Sequence, residues 1–285
     1  MIKKILAFTL FIAFIFVLSL SLFGCGNNTD TSLESDASKI DVNVDILRIG
    51  KADCIIVNTG SKILMIDTGE VESVPYINSF MEEKGYNKID TLVITHFDKD
   101  HLGGALEIIP KYHVSNVIQS SFSEKTVLYE NYLFVLESEG VTPLKLNENY
   151  TLNLNGCQIE IDVPKSQKYK KNQDNNSSLV VSVDCGERKF LFTGDAMELR
   201  LSELIDERIG EYDFIKLPHH GNYLENYREF LESTKPSYAA ITCSNKNPPD
   251  DKTLALLEEY GVEAFETRNG NIHIHTDGKT IEISY

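Results

Sequence analysis

Residues 41–285 predict one α/β domain, with many strands in two sheets covered by helices. Three observations carry this expectation. Short β-branched runs separated by turn residues recur from Asp41 onward. The last third alternates helical periods with strands. No repeat, low-complexity stretch or second linker interrupts the domain. The chain has 285 residues, 42% apolar and 25% charged, which excludes wholesale disorder, collagen-like and coiled-coil classes.

The N-terminus reads as an address. Lys3 and Lys4 precede an apolar run over 5–23 that ends in Leu22-Phe23-Gly24-Cys25. A short basic head, an apolar stretch and a small residue together predict a secretory signal over 1–24. Cys25 stands where the lipobox of bacterial lipoproteins carries its diacylglycerol, which would make the membrane surface a partner. An uncleaved anchor is the other reading, since about twenty apolar residues can span a bilayer. Both place the rest of the chain outside the cytoplasm. Residues 25–40 are polar and predict a flexible tether behind the lipidated Cys25.

Strands are expected at 42–49, 54–58 and 63–66, separated by Gly50-Lys51-Ala52-Asp53 and Thr59-Gly60-Ser61. A helix over 75–84 ends at Gly85, a buried strand spans 89–95 and a short helix starts at 104. An amphipathic helix over 124–139 leads into strands near 150–154, 158–163, 179–183 and 189–192. Helices at 197–208, 223–232 and 251–260 then alternate with strands at 214–217, 238–242, 272–275 and 280–284. Five Cys without paired spacing suggest neither a disulfide scaffold nor a zinc ribbon. Cys54, Cys157 and Cys185 lie in apolar surroundings and are expected as buried thiols.

The chemistry concentrates where the buried strand at 91–94 surfaces into Thr95-His96-Phe97-Asp98-Lys99-Asp100-His101-Leu102-Gly103-Gly104. On an extended segment, His96, Asp98 and Asp100 share a face, with His101 following from the turn. Imidazoles and carboxylates at this density suit a borderline or hard divalent cation. The paired glycines allow a tight turn behind them. Two further carriers end strands: Thr193-Gly194-Asp195, and Pro218-His219-His220-Gly221. Asp195 can bridge two cations or simply cap a helix. His273 and His275 share a strand face without a nearby carboxylate cluster, and read as a solvated face.

The order His-x-Asp-x-Asp-His-x-Gly-Gly, then Asn175-Asn176-Ser177-Ser178-Leu179, then Thr-Gly-Asp, then His-His-Gly resembles the metallo-β-lactamase superfamily. Within it, the chain is similar to the hydrolase domain of ComEC-type DNA-uptake competence proteins and their stand-alone relatives. Gly50-Lys51-Ala52-Asp53 and Ile66-Asp67-Thr68-Gly69 resemble that family's opening strands. The likeness covers 41–285. It implies a four-layer αβ/βα sandwich with a metal-dependent hydrolytic site between the sheet edges. By the same resemblance, one cation site draws on His96, Asp98 and an oxygen of Asn175 or Asn176, and Asn176 is also a candidate for binding substrate. The other draws on Asp100, His101, Asp195 and either His219 or His220.

Departures from the pattern shape the expected cofactor. Asp98 replaces the usual second His, and the third imidazole before Asp195 is absent. Oxygen-rich ligation favours manganese or magnesium over a three-His zinc site, so one or two divalent ions, manganese or zinc, are expected. Asn222 and Pro248 also stand where the family tends to carry Ser and His.

A divalent cation lowers the pKa of its water enough to supply hydroxide near neutral pH. Asp100 would orient that water or take its proton, and His219 or His220 would stabilise the leaving oxygen. With 27 basic against 43 acidic residues and a net charge of −16, the chain has no broad basic face for nucleic acid. Lys216 and Lys246 can still hold one or two phosphates, since exposed acids are screened beyond about 8 Å. The expected function is a surface-tethered phosphodiesterase or nuclease with a phosphate-containing substrate, DNA included. Hydrolysis of esters, lactones or β-lactams and a non-catalytic metal-binding lipoprotein are the alternatives.

Overall fold

A computed structural model describes residues 40–285. The predicted leader, Cys25 and the tether up to residue 39 lie outside the described residues. The chain opens with β1 (Val42–Ile46), β2 (Ile55–Asn58) and β3 (Ile63–Ile66), then α1 (Val74–Glu83) and β4 (Thr91–Ile94). After α2 (Lys99–Leu102) and α3 (Ala105–Lys111) come β5 (Asn116–Ser120), α4 (Val127–Ser138) and β6 (Leu144–Leu146). A second run holds β7 (Tyr150–Leu154), β8 (Cys157–Asp162), α5 (Gln173–Asn176), β9 (Val180–Cys185) and β10 (Arg188–Phe192). It continues through α6 (Glu198–Glu207), β11 (Phe214–Lys216), α7 (Tyr227–Thr234), β12 (Tyr238–Ile241), α8 (Asp251–Glu259) and β13 (Glu263–Glu266). The C-terminal β14 (Ile272–Thr276) and β15 (Ile281–Ser284) return to the first sheet.

Eight strands form one sheet, in the order β15-β14-β1-β2-β3-β4-β5-β6, and seven form the other, β13-β12-β11-β10-β9-β8-β7. The first run is antiparallel until β3 pairs parallel with β4, and β10, β11 and β12 run parallel in the second sheet. Parallel strands need both faces covered, and every residue of β3 and β4 is buried. One apolar layer fills the space between the sheets, with Phe190, Phe192 and Phe214 meeting Val44, Ile55 and Leu64. A second lies under α1, α3 and α4, and a third under α6, α7 and α8. In α1 the residues Val74, Ile77, Phe80 and Met81 recur at helical spacing and form its buried stripe. The result is the four-layer αβ/βα sandwich.

Several local expectations are corrected. The strand carrying the metal motif stops at Ile94, and Lys99–Leu102 is a helical turn with Asp98 at its N-cap. Asp98 and Asp100 therefore diverge, and helical turning brings Asp100 and His101 inward in place of strand alternation. Cys157 and Cys185 are joined as a disulfide, not free thiols. They flank the last paired positions of antiparallel β8 and β9, where Gln158 faces Asp184. Cys54 is a buried thiol as expected. Carboxylates do reach the β14 imidazoles, from the neighbouring strand: His273 Nδ1 lies 2.6 Å from Asp45 and His275 Nε2 3.0 Å from Asp41. Gly103 and Gly104 serve close approach, not a tight left-handed turn. A Cβ on Gly104 would stand 2.3 Å from the Thr68 carbonyl oxygen, and one on Gly103 2.9 Å from the Val71 nitrogen.

Candidate metal centre

The site lies at the carboxyl ends of the parallel strands, where open α/β sheets place their ligands. Asp67 follows β3, Thr95 and His96 follow β4, Asp195 follows β10, His220 follows β11 and Thr242 follows β12. Asp67 takes a left-handed conformation at φ 59°, which turns its carboxylate across to the next strand end. There it accepts hydrogen bonds from the Thr95 amide at 2.8 Å and the Thr95 hydroxyl at 2.7 Å. The same carboxylate lies 2.7 Å from His101 Nδ1 and fixes that ring. His219 and His220 also sit at positive φ, 45° and 58°. Such backbone costs on the order of 1–3 kcal/mol per residue and persists only where its surroundings impose it. Here the Tyr227 hydroxyl donates to the Pro218 carbonyl at 2.8 Å, and His220 Nδ1 lies 2.9 Å from the Thr242 hydroxyl.

These constraints aim four donors at one point. Asp100, His101, Asp195 and His220 each bring a ligand atom within 4.8 Å of all the others. Asp195 lies between the rings, Oδ1 at 3.3 Å from His101 Nε2 and Oδ2 at 3.1 Å from His220 Nε2. Asp100 Oδ2 is 3.5 Å from His220 Nε2. His101 Nε2, His220 Nε2 and Asp195 Oδ1 are buried without a hydrogen-bond partner. Buried polar atoms are rarely left so, and three of them converging on one point fit a divalent cation.

The electrostatics agree. Burial alone would strip His101 and His220 of their protons, yet Asp195, with Asp67 beside His101 and Asp100 beside His220, raises both imidazoles above their ordinary value. Burial likewise disfavours the Asp195 anion, but the two rings hold its carboxyl well below the usual range. Asp53 sits wholly buried beneath the centre and pairs with the Lys216 ammonium. Lys216 Nζ also donates to the Gly194 carbonyl at 2.9 Å and lies 3.6 Å from Asp195 Oδ1. Three carboxylates, Asp53, Asp67 and Asp195, thus act on one fixed ammonium, and Asp100 adds a fourth beside His220. Such a nest needs more positive charge, supplied by protons on the imidazoles or by a metal.

The sequence signature of the beta-lactamase superfamily domain matches residues 64–265. The chain belongs to this superfamily. ComE operon protein 3 of Bacillus subtilis is 28% identical over 254 residues, covering 80% of this chain and 32% of that protein. Recombination protein 2 of Haemophilus influenzae is 26% identical over 269 residues, covering 86% and 30%. The chain spans about a third of the length of these curated relatives. Among solved structures, the metallo-β-lactamase fold protein YhfI of Bacillus subtilis aligns with a TM-score of 0.57 at 10% identity, over 84% of this chain and 100% of its own. The metallo hydrolase Igni18 of Ignicoccus hospitalis aligns at 0.52 and 16%, over 82% and 98%. These confirm the metallo-β-lactamase fold.

Against the superfamily pattern, the remaining predicted residues fall outside the four-donor cluster. His96 is buried 4.1 Å ring to ring from His101. Its Nδ1 lies 3.1 Å from the Thr95 hydroxyl and 3.4 Å from that of Ser178, and its Nε2 is 3.6 Å from Asp98 Oδ2 without a hydrogen bond. Carboxylates stand near this pair: Glu124 is pushed up to about 7 by burial, by Asp174 beside it and by the Asp98 charge. Asn176 is structural. Its amide donates to the Lys171 and Asn172 carbonyls, and its oxygen accepts from the Arg200 backbone. Lys216, expected to hold phosphate, has no solvent exposure and is spent on Asp53. His219 is not one of the four converging donors, and its Nδ1 lies 3.2 Å from the Asn222 amide. Burial lowers its pKa. Lys246 lines a groove of about 460 Å³ that His220 also lines.

Three residues that hold the site received little weight from sequence reasoning: Asp67, Asp53 and Thr242. Asp67 follows an apolar strand and precedes Thr-Gly, much as Asp195 follows Thr-Gly after another. That strand-end signal was available. The burial of Asp53 and the reach of Thr242 depend on the pairing of the sheets, which no local pattern shows.

Proposed function

We propose that the chain is a metal-dependent hydrolase acting on phosphodiesters, tethered outside the cytoplasm through lipid on Cys25. The convergence of Asp100, His101, Asp195 and His220 within 4.8 Å carries the reading. The likeness to proteins named for competence and recombination supports phosphodiesters as the substrate class.

In this reading the four residues hold one divalent ion, and His96 with Asp98 offers a weaker second place. A cation bound there polarises the phosphoryl oxygen and acidifies water. Asp67 and Thr242 fix the two ligand rings so that each Nε2 faces inward. Asp100, the most exposed of the four, keeps its carboxyl ionised and orients the attacking water through an oxygen. Burial lowers the His219 pKa and so favours its neutral ring. With its Nδ1 accepting from Asn222, its Nε2 carries the proton and can donate a hydrogen bond to the leaving oxygen.

The test loads the full chain, purified in detergent, with manganese or with zinc. It then offers bis-p-nitrophenyl phosphate, linear DNA and a chromogenic β-lactam. Cleavage of the phosphodiesters is expected, and Asp100→Ala should abolish it. Cleavage of the lactam alone would reassign the substrate class, and bound metal without any turnover would make the chain a metal-binding protein.

A further inference from the structure

We propose that Lys51 and Lys246 form a phosphate subsite beside the cation centre, which holds the phosphate next to the scissile one in a short oligonucleotide. The proposal rests on the phosphodiesterase reading and narrows its substrate class.

The groove of about 460 Å³ is lined by Lys51, His220, Asn222, Lys246 and Asn247 and, on its carboxylate side, by Asp250 and Asp251. Its size falls in the range of small-molecule sites. It opens onto one of the four converging donors, so a ligand in it is a neighbour of whatever reacts there. Lys51 follows Gly50, which takes φ 85°, and precedes by two positions the buried Asp53 whose amide donates to the Asp100 carbonyl at 3.1 Å. The backbone under the centre therefore anchors this lysine. Among the described residues neither Lys51 nor Lys246 has a carboxylate within 4 Å, whereas Lys62, Lys88, Lys165, Lys189 and Lys235 all do. The Asp250 carboxylate is engaged by the Tyr223 amide at 2.7 Å.

In a chain of net charge −16, two unpaired ammonium groups sharing a polar groove are the local place for an anion. The scissile phosphate belongs at the cation. An anion held by the lysines is therefore a second phosphate, and the Asn222 and Asn247 side chains offer amide donors to the rest of a nucleotide.

The test compares thymidine dinucleotide with and without a 5′-phosphate, pTpT against TpT. Binding to the manganese-loaded full chain is measured by calorimetry and cleavage by chromatography. The wild type should bind pTpT about tenfold more tightly than TpT, and Lys51→Ala and Lys246→Ala should each narrow that ratio. Lys145→Ala, the same charge change on edge strand β6, should leave the ratio intact. A wild-type ratio near unity, or a ratio that Lys145→Ala narrows equally, overturns the subsite even if both dinucleotides are cleaved. A ratio that behaves as expected without any cleavage sustains the subsite and refutes the phosphodiesterase reading.

Discussion

Asp67 decides how well the centre is formed, because one carboxylate serves the Thr95 amide and hydroxyl and His101 Nδ1 together. Asp67→Asn keeps the shape and removes the charge that orients the ring. Metal affinity should fall roughly 10–100-fold, as read by competition with a chelating dye; unchanged affinity would deny Asp67 this role. The imidazoles also set a pH dependence. His101 and His220 have folded-state pKa values above that of free imidazole, about 6.5. Their contribution to metal-free stability is complete below about pH 6.5 and is lost as pH rises through the folded values. Metal displaces those protons, so the rise in Tm on adding manganese should grow from about pH 6 to about pH 9. A constant rise would mean the ion binds elsewhere. The four converging donors were legible in sequence because His and Asp crowd at strand ends. The fate of Lys216 was not, since its ammonium is buried over Asp53 only by the packing of one sheet against the other.

Elements hold the site from behind. Arg200 on α6 is fully buried. It donates Nε to the Ser178 carbonyl, Nη2 to the Asp162 carbonyl and carboxylate, and Nη1 to Glu203. It thereby ties α6 and β8 to the Ser178 segment that meets His96. Arg200→Ala strands buried partners and should cost about 3–5 kcal/mol in chemical denaturation; a loss under about 1 kcal/mol would show the network to be dispensable. Most strands and helices follow from residue type and period, including the exact span of β7. The missed strands have physical reasons. β6 has three residues, too few for alternation, and β5 and β13 carry no full two-residue period, with burial patterns eBBBB and eiBi. The helical turn at Lys99–Leu102 escaped because four residues cannot show a 3.6-residue period against a flanking strand.

At the scale of the whole molecule, the fold joins two sheets so that residues from 53 to 242 meet at one end. The motif order made this arrangement legible, while the acidic balance bears on the proposed nucleic-acid substrate. With Lys51 and Lys246 the lysines lining the groove beside the centre among the described residues, binding of single-stranded DNA should depend weakly on salt, with a log–log slope of about −1.5. A slope near −5 would reveal a basic face that the surface does not suggest. Asp100, His101, Asp195 and His220 are expected to hold a divalent cation together. The most direct test is elemental analysis of the full chain and of Asp195→Ala and His220→Ala, each dialysed after manganese loading and checked for fold by circular dichroism. About one tightly held ion per wild-type chain is expected, with loss of that ion in both folded variants. Retention of the ion by either variant, or its absence from the wild type, would contradict this assignment.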